Sequence, residues 1–316
     1  MKTILGTGQL GMAILDILLQ QDPAQPILLV NRSGKSPIKL PGNVAIMAAD
    51  VTSKTNMETV AELSGIIFSC TDRPYQLWES FYPATANALG YALENTNARL
   101  VFADNMYSYG NVMGGLMNER LRLKTKTKKG RIRTEVINTL LRSGKPFSKR
   151  VAFVKAADFI GPNIHKGLFG TDFLTKLYSN KRIALFGNTD LPHTFTYIED
   201  FAKAMINIGN ANDAYEQIWH VPNAPAITLN DWIRLFENAS GKKAKTMVLP
   251  KWIVKAAGLF DPLVKELYEL AYQFEHPYLV DHSKYAKQFG EHFTEQEIIA
   301  DKTIKWFISG SSHDKH

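Results

Sequence analysis

Gly6-Thr7-Gly8-Gln9-Leu10-Gly11 is the stretch on which the fold of this chain turns. It follows a short apolar run, Lys2–Leu5. It opens a segment, Gln9–Gln20, in which Leu10, Ile14, Ile17 and Leu18 recur at helical spacing. Strand, glycine turn and helix in that order form the setting in which three glycines so spaced hold a dinucleotide. Gly6 permits the tight turn, Gly8 lets the backbone approach a pyrophosphate, and Gly11 lets the helix lie close to the strand. The amides at the helix start, at the positive end of the helix dipole, suit phosphate charge. All six residues, Gly6, Thr7, Gly8, Gln9, Leu10 and Gly11, are candidate cofactor contacts.

Outward from this loop, strands and helices alternate. Pro26–Asn31, Val44–Ala49, Gly65–Cys70, Arg99–Ala103 and Val151–Lys155 read as strands, the apolar runs among them being of the kind buried on both faces. Asn56–Leu63, Tyr75–Asn95 and Lys129–Arg142 read as helices. This alternation predicts an α/β fold: a doubly wound parallel sheet of the Rossmann type. Gly161-Pro162 breaks the pattern. Beyond it Thr171–Tyr178, Glu199–Ile208 and Leu229–Ser240 read as helices, Arg182–Phe186 and Gln217–Val221 as strands, and Trp252–Phe274 as a long helical region interrupted at Asp261-Pro262. The expected organisation is a dinucleotide-binding domain over 1–160 and a smaller mixed α/β substrate lobe over 161–308, part of which can return to the first sheet. A polar, flexible tail over 309–316 completes it.

The second strand decides which cofactor is preferred. A site selective for NAD(H) places an acid about 20 residues after the glycine loop, on the ribose hydroxyls. Here that region reads Asn31-Arg32-Ser33-Gly34-Lys35, without an acid. Arg32 can grip a 2′-phosphate bidentately, with Ser33 as a further donor. NADP(H) is therefore expected over NAD(H), with NAD(H) still possible. Asp50 and Val51, past the third strand, are placed to bracket the adenine. Cys70 and Thr71, past the fourth, lie near the cofactor by position.

The chain has 316 residues, 45% of them hydrophobic and 21% charged, which fits a packed globular protein. One cysteine, Cys70, rules out an intrachain disulfide and a multi-cysteine zinc site. The histidines show no metal-ligand spacing, so no metal is expected. No apolar run approaches the length of a membrane span, and the first strand starts too early for a secretory signal, so a cytoplasmic protein without a membrane partner is expected. The net charge is +7, but Arg120–Arg133 holds eight basic residues and no acid, so the rest of the chain sums to −1. That is one basic segment rather than a basic protein. Without interleaved aromatics it argues against nucleic acid as a partner. Tyr75 and Trp78 follow the fourth strand, and His193 and Tyr197 precede Asp200; these four are candidates to line a pocket for a small-molecule substrate.

Beyond the glycine loop the sequence resembles the extended short-chain dehydrogenase/reductases, the NAD-dependent epimerase/dehydratase family. The resemblance rests on Asp50-Val51-Thr52, on Tyr107-Ser108-Tyr109-Gly110 and on Glu119. It continues through Lys129-Gly130-Arg131-Ile132-Arg133-Thr134-Glu135, Arg150 with Asp158-Phe159-Ile160-Gly161-Pro162, Phe195–Asp200 and Asp281-His282-Ser283-Lys284. It implies a dinucleotide domain, a substrate lobe with the site in a cleft between the two, and Asp158 near the cofactor. It also implies a homodimer through the helices read as Tyr75–Asn95 and Lys129–Arg142. The family's active tyrosine and lysine fall on Lys129 and Arg133 here, its Ser/Thr falls on Asn105, and its glycine spacing differs. The resemblance therefore implies an atypical member. Lys129 is the candidate acid, as in a branch resembling isoflavone reductases. Tyr107 is a second candidate, Asn105 would orient substrate, and Arg133 would hold ribose or a substrate anion. The expected activity is NADP(H)-dependent oxidoreduction of a small carbonyl or sugar-like substrate. The alternatives are an inactive NAD(P)-binding regulator or scaffold, and a nucleotide-sugar epimerase or dehydratase.

Overall fold

A computed structural model describes residues 1–257, 259, 260 and 262–311. The chain divides into two compact units. The first comprises Met1–Gly110, Arg122–Ala156 and Phe201–Val221.

Seven strands form its single sheet: β1 (Lys2–Leu5), β2 (Ile27–Asn31), β3 (Val44–Ala48), β4 (Ile66–Ser69), β5 (Arg99–Asn105), β6 (Val151–Ala156) and β7 (Gln217–His220). Their order is β7-β6-β5-β4-β1-β2-β3, and every pairing is parallel. The doubly wound expectation therefore holds. The connecting helices are α1 (Gln9–Gln21), α2 (Lys54–Glu62), α3 (Trp78–Asn95) and α4 (Lys128–Leu140). The strands are apolar because helices cover both faces: β2, β4 and β6 are buried almost end to end. β1 pairs with both β2 and β4, in register at Lys2↔Ile27 and Lys2↔Ile66. The winding reverses there. In open α/β sheets that reversal leaves a crevice beyond the carboxyl ends of the strands, where ligands bind. Leu5 and Ser69 end the two strands that flank it.

The second unit comprises Asn111–Leu121, Ala157–Asp200 and the chain from Pro222 on. Its strands are short pairs: Asp158–Ile160 with Phe195–Tyr197, Pro192–His193 with Ile227–Thr228, Arg182–Phe186 with Lys245–Leu249, and Leu116–Met117 with Leu279–Val280. Its helices include α5 (Thr171–Tyr178), α7 (Leu229–Ser240), α8 (Lys251–Ala257), α9 (Pro262–Tyr268), α10 (Ser283–Phe289) and α11 (Gln296–Ser311); α6 (Ile198–Asn210) lies mostly in the first unit. Phe169, Phe173, Phe195, Trp232 and Phe236 form an aromatic core. α7 is delimited by its own sequence. Thr228 and Asp231 form a reciprocal capping box at its start, and Gly241 ends it in the left-handed region at φ 66°.

Several expectations are corrected. Trp252–Phe274 is not one helical region but α8, α9 and a 3₁₀ turn, Ala271–Phe274. Pro262 starts α9 because a proline lacking its N–H fits a first helical position. Asp261, at the expected break, lies outside the described residues. Tyr75–Leu77 is a 3₁₀ turn ahead of α3, following Pro74, rather than part of the helix. Lys245–Leu249, unread in the sequence, is a strand exposed along most of its length, without the alternation that marks a half-buried one. Ser309–Ser311, expected in the tail, continue α11; residues 312–316 lie outside the described residues. No described helix is long and apolar enough to cross a membrane.

Candidate active site

The glycine loop is shaped by collisions that glycine alone avoids. Gly6 has φ 100°, and a Cβ on it would lie 3.1 Å from the Cys70 carbonyl oxygen. A Cβ on Gly11 would lie 1.9 Å from the Gly6 carbonyl oxygen, so α1 can sit this close to β1 only without a side chain there. Gly11→Ala is expected to cost about 1–3 kcal/mol of stability. It should also weaken dinucleotide binding, as read by thermal melting with and without cofactor. At Gly8 the space a Cβ would fill is open. No side chain caps α1, and its first turn carries no acid. Gln9 and Leu10 in that turn are half-buried. This is an uncapped helix start beside an open backbone, which is what a phosphate requires.

Asn31 ties the loop after β2 to the glycine loop. Its amide nitrogen donates to Thr7 Oγ1 and to the Lys35 carbonyl, both at 2.8 Å. Its oxygen accepts from the Ser33 and Gly34 amides and the Ser33 hydroxyl. Both ends of Asn31 are thus engaged, while Arg32 and Ser33 stay exposed. Asp50 accepts from the Thr52 amide and hydroxyl at 2.9 and 2.7 Å. Those bonds, with smaller help from Arg32 and Arg73, hold its carboxyl below the usual range. Val51 is buried. At the end of β4, Ser69 Oγ and Thr71 Oγ1 are buried without a hydrogen-bond partner. The Thr71 Cγ2 lies 3.3 Å from where a Gly6 Cβ would be. Burial pushes the Cys70 thiol up, away from a reactive thiolate. An open glycine cradle, an uncapped helix start and orphaned hydroxyls together fit a dinucleotide.

A second cluster is built where β5 ends. Asn105 Oδ1 accepts from the Tyr107 amide at 3.1 Å and starts the 3₁₀ turn Met106–Tyr109. The Tyr107 and Tyr75 hydroxyls are 3.0 Å apart. α4 opens on Thr127, whose hydroxyl accepts from the Gly130 amide. At Gly130 a Cβ would meet the Tyr107 carbonyl oxygen at 2.4 Å, so glycine lets α4 settle against that turn. Lys129, beside it, is 1% exposed, and its Nζ lies 4.9 Å from the Tyr75 ring centroid.

Arg133 follows Lys129 one helical turn later on the same buried face. Its guanidinium stands 3.9 Å from the Tyr82 ring centroid and 4.7 Å from that of Trp78, and Nε is 3.4 Å from Asp104 Oδ1. Its Nη1 is buried without a hydrogen-bond partner. Asp104 also accepts from Lys155, which donates to the Asn105 carbonyl and Ser108 Oγ at 2.7 and 2.9 Å. Burial pushes the Lys155 ammonium down in pKa, against the raising effect of Asp104. Tyr109 and His220 pair at 2.9 Å.

The structure thus brings Tyr75, Tyr107, Lys129 and Asn105 together, with Arg133 one turn along. Trp78 is 3% exposed, packs under Arg133 and donates to the Arg73 carbonyl, so it supports the cluster from below. Sequence reasoning missed Asp104, Ser108 and Lys155. The available signal was a charge inside each of two otherwise buried apolar strands, β5 and β6. The basic run also divides. Lys129 and Arg133 are buried, whereas Arg122, Lys124, Lys126, Lys128 and Arg131 are exposed. A groove of about 410 Å³ on the outer side of α4 is lined by Lys124, Arg131, Glu135 and Asn138 among others.

The remaining candidates belong to the second unit. His193 is 2% exposed and stacks between Phe274 and Tyr278, with ring centroids at 4.7 Å on each side. Its Nε2 is 2.9 Å from Asp158 Oδ2. Tyr197 is buried, and that burial pushes its hydroxyl up in pKa. Both rings are part of this unit's packing. Among the described residues no three His, Cys, Asp or Glu side chains gather as a metal site.

The profile of the NAD dependent epimerase/dehydratase family matches residues 4–221, well over half of the chain. Comparison with curated proteins finds no match. Among solved structures, a mutant UDP-glucuronic acid 4-epimerase from Bacillus cereus, in complex with UDP-4-deoxy-4-fluoro-glucuronic acid and NAD, is similar. It has a TM-score of 0.81 and 14% identity, over 98% of this chain and 99% of that one. A dTDP-glucose 4,6-dehydratase from Bacillus anthracis in complex with NAD has a TM-score of 0.80 and 13% identity, over 99% and 98%. The enzyme WbmH of Bordetella bronchiseptica in complex with NAD+ has a TM-score of 0.73 and 14% identity, over 97% of both chains. At these identities the likeness is one of fold.

Proposed function

The chain belongs to the NAD dependent epimerase/dehydratase family, and from that premise we propose an NADP(H)-dependent oxidoreductase acting on one carbonyl or alcohol carbon of a small, sugar-like substrate. The observation that carries the reading is the buried Lys129 ammonium over the ring of Tyr75, whose hydroxyl is bonded to that of Tyr107.

The dinucleotide would lie on the Gly6–Gly11 loop, with the loop built by Asn31, Asp50 and Val51 toward its adenosine half and Thr71 beside the crevice. When bound, it supplies a carbon that accepts or donates hydride. The chain's own residues handle the proton and the geometry. Lys129 holds a proton for the developing alkoxide, and burial at a helix start brings that proton close without solvent. The Tyr75–Tyr107 hydroxyl pair gives the proton a path back. Asn105, its oxygen committed to the Tyr107 amide, presents its NH₂ to substrate. Arg133, kept cationic beside Asp104, favours negative charge on the reacting oxygen.

The test is a titration of cofactor-free protein with NADPH and NADH. Arg32→Ala is expected to weaken NADPH binding about tenfold or more, as losing a charge-assisted contact of 1.5–3 kcal/mol requires, and to leave NADH nearly unchanged. Equal affinities for both cofactors, unmoved by the substitution, would remove the NADP(H) assignment.

A second reading, epimerisation or dehydration of a nucleotide sugar, draws support from the sugar nucleotides carried by similar structures, UDP-4-deoxy-4-fluoro-glucuronic acid in one and UDP-glucose in MoeE5. The two readings differ in electron balance. Net reduction consumes one NADPH per turnover, whereas epimerisation or dehydration returns the cofactor to its starting state.

A further inference from the structure

The large aromatic side chains of the second unit are buried or half-buried, except in the segment after α7. Trp252 is 71% exposed, Leu259 80% and Phe260 89%, with Met247 and Val248 also exposed on the preceding strand. By contrast Trp78, Trp219 and Trp232 are each buried. The same segment is strongly basic. From Lys242 to Lys265 the sequence holds six lysines and one acid. All six lysines are exposed; Lys243 pairs with Glu237 and Lys251 with Glu275.

We propose that this segment, led by Trp252, Leu259 and Phe260, docks the protein on an anionic lipid surface. Three large exposed apolar side chains, one of them an indole, with lysines in the same stretch of chain, have the composition of a membrane-interface element. The polar heads of such a membrane attract the lysines, while the acyl boundary takes the apolar side chains. A second copy of the chain fits this surface poorly. A two-fold interface would set the patch against itself, lysine facing lysine. The segment's two described helices, of seven residues each, are too short to cross a bilayer. It does not involve the proposed active site.

The experiment uses the full chain with vesicles of equal parts phosphatidylglycerol and phosphatidylcholine, and with phosphatidylcholine alone. Co-sedimentation is expected with the first and not the second, and should fall as salt rises. Trp252 emission should shift to the blue on binding, and Trp252→Phe should remove that shift. Lys255→Gln with Lys265→Gln is expected to lower partitioning about 30-fold, at about 1 kcal/mol for each lysine. Phe260→Ser should weaken it too. Each of these side chains is exposed, so the variants should fold, as thermal melting will check. Three results would overturn the proposal: no binding to the anionic vesicles at low salt, equal binding to phosphatidylcholine alone, or binding unmoved by both variants. A lipid-free dimer that Phe260→Ser dissociates would reassign the surface to a second copy and equally overturn it.

Discussion

Lys129→Met lowers turnover about a thousandfold while cofactor affinity stays within about threefold, as expected for the loss of a positioned general acid, whose contribution is typically 10²–10⁴. Methionine is the informative substitution. It matches the length of the buried stem and removes only the proton-bearing end. Lys129 is nearly inaccessible, and its ammonium lies on the face of Tyr75. Thermal melting of the variant, measured beside its rate, separates a loss of turnover from a loss of fold. Tyr107→Phe separates the two possible acids. It keeps the ring and deletes the hydroxyl that bonds Tyr75. If the hydroxyls only return the proton, its loss should be about tenfold, below the range of a direct acid–base effect. Full turnover in Lys129→Met would sink the lysine mechanism. Tight cofactor binding with no hydride transfer by the parent, across carbonyl and sugar-nucleotide substrates, would instead identify a binding scaffold.

Asp104→Ala should lower the free energy of unfolding by about 3–5 kcal/mol, the cost of leaving a buried charge without its partner. Asp104 is the acid shared by two buried cations, Lys155 and Arg133. Lys155 can lose its proton, and its burial already favours the neutral form. Arg133 cannot follow, because a guanidinium does not deprotonate in proteins. The diagnostic is a double variant. Asp104→Leu with Lys155→Met removes one charge of each sign and fills the space with apolar groups. It should recover a large part of the lost stability in a denaturant titration. A single-variant loss below about 1 kcal/mol would mean that water reaches these groups and that the cluster is not a closed ion network.

The first unit was legible to a degree that its physics explains. Strands buried on both faces must be apolar runs, and Pro26–Asn31 and Gly65–Cys70 were recognisable on that ground alone. Their strand cores proved to be Ile27–Asn31 and Ile66–Ser69. The glycine loop was legible because Gly6 and Gly11 each answer a local collision between residues close in sequence or at adjoining strand ends, while Gly8 leaves its space open. The second unit was less so. Its strands pair over two to five residues, too few for a periodicity to emerge, and Lys245–Leu249 shows no buried face.

By itself, then, the sequence determined the alternating architecture, the dinucleotide loop and the basic segment holding Lys129 and Arg133. Each of these depends on residues within one or two turns of chain. Tertiary structure alone decided what those residues touch. Asp104 and Lys155 meet because β5 and β6 are neighbours in parallel register, with Asp104 opposite Lys155. Tyr75, Tyr107 and Lys129 come from three separate elements that converge only when β4, β5 and α4 are assembled. Tertiary structure also turned Trp78 and Tyr197 inward to pack. Strand order and helix docking follow from the summed burial of the whole core, and no local pattern encodes them.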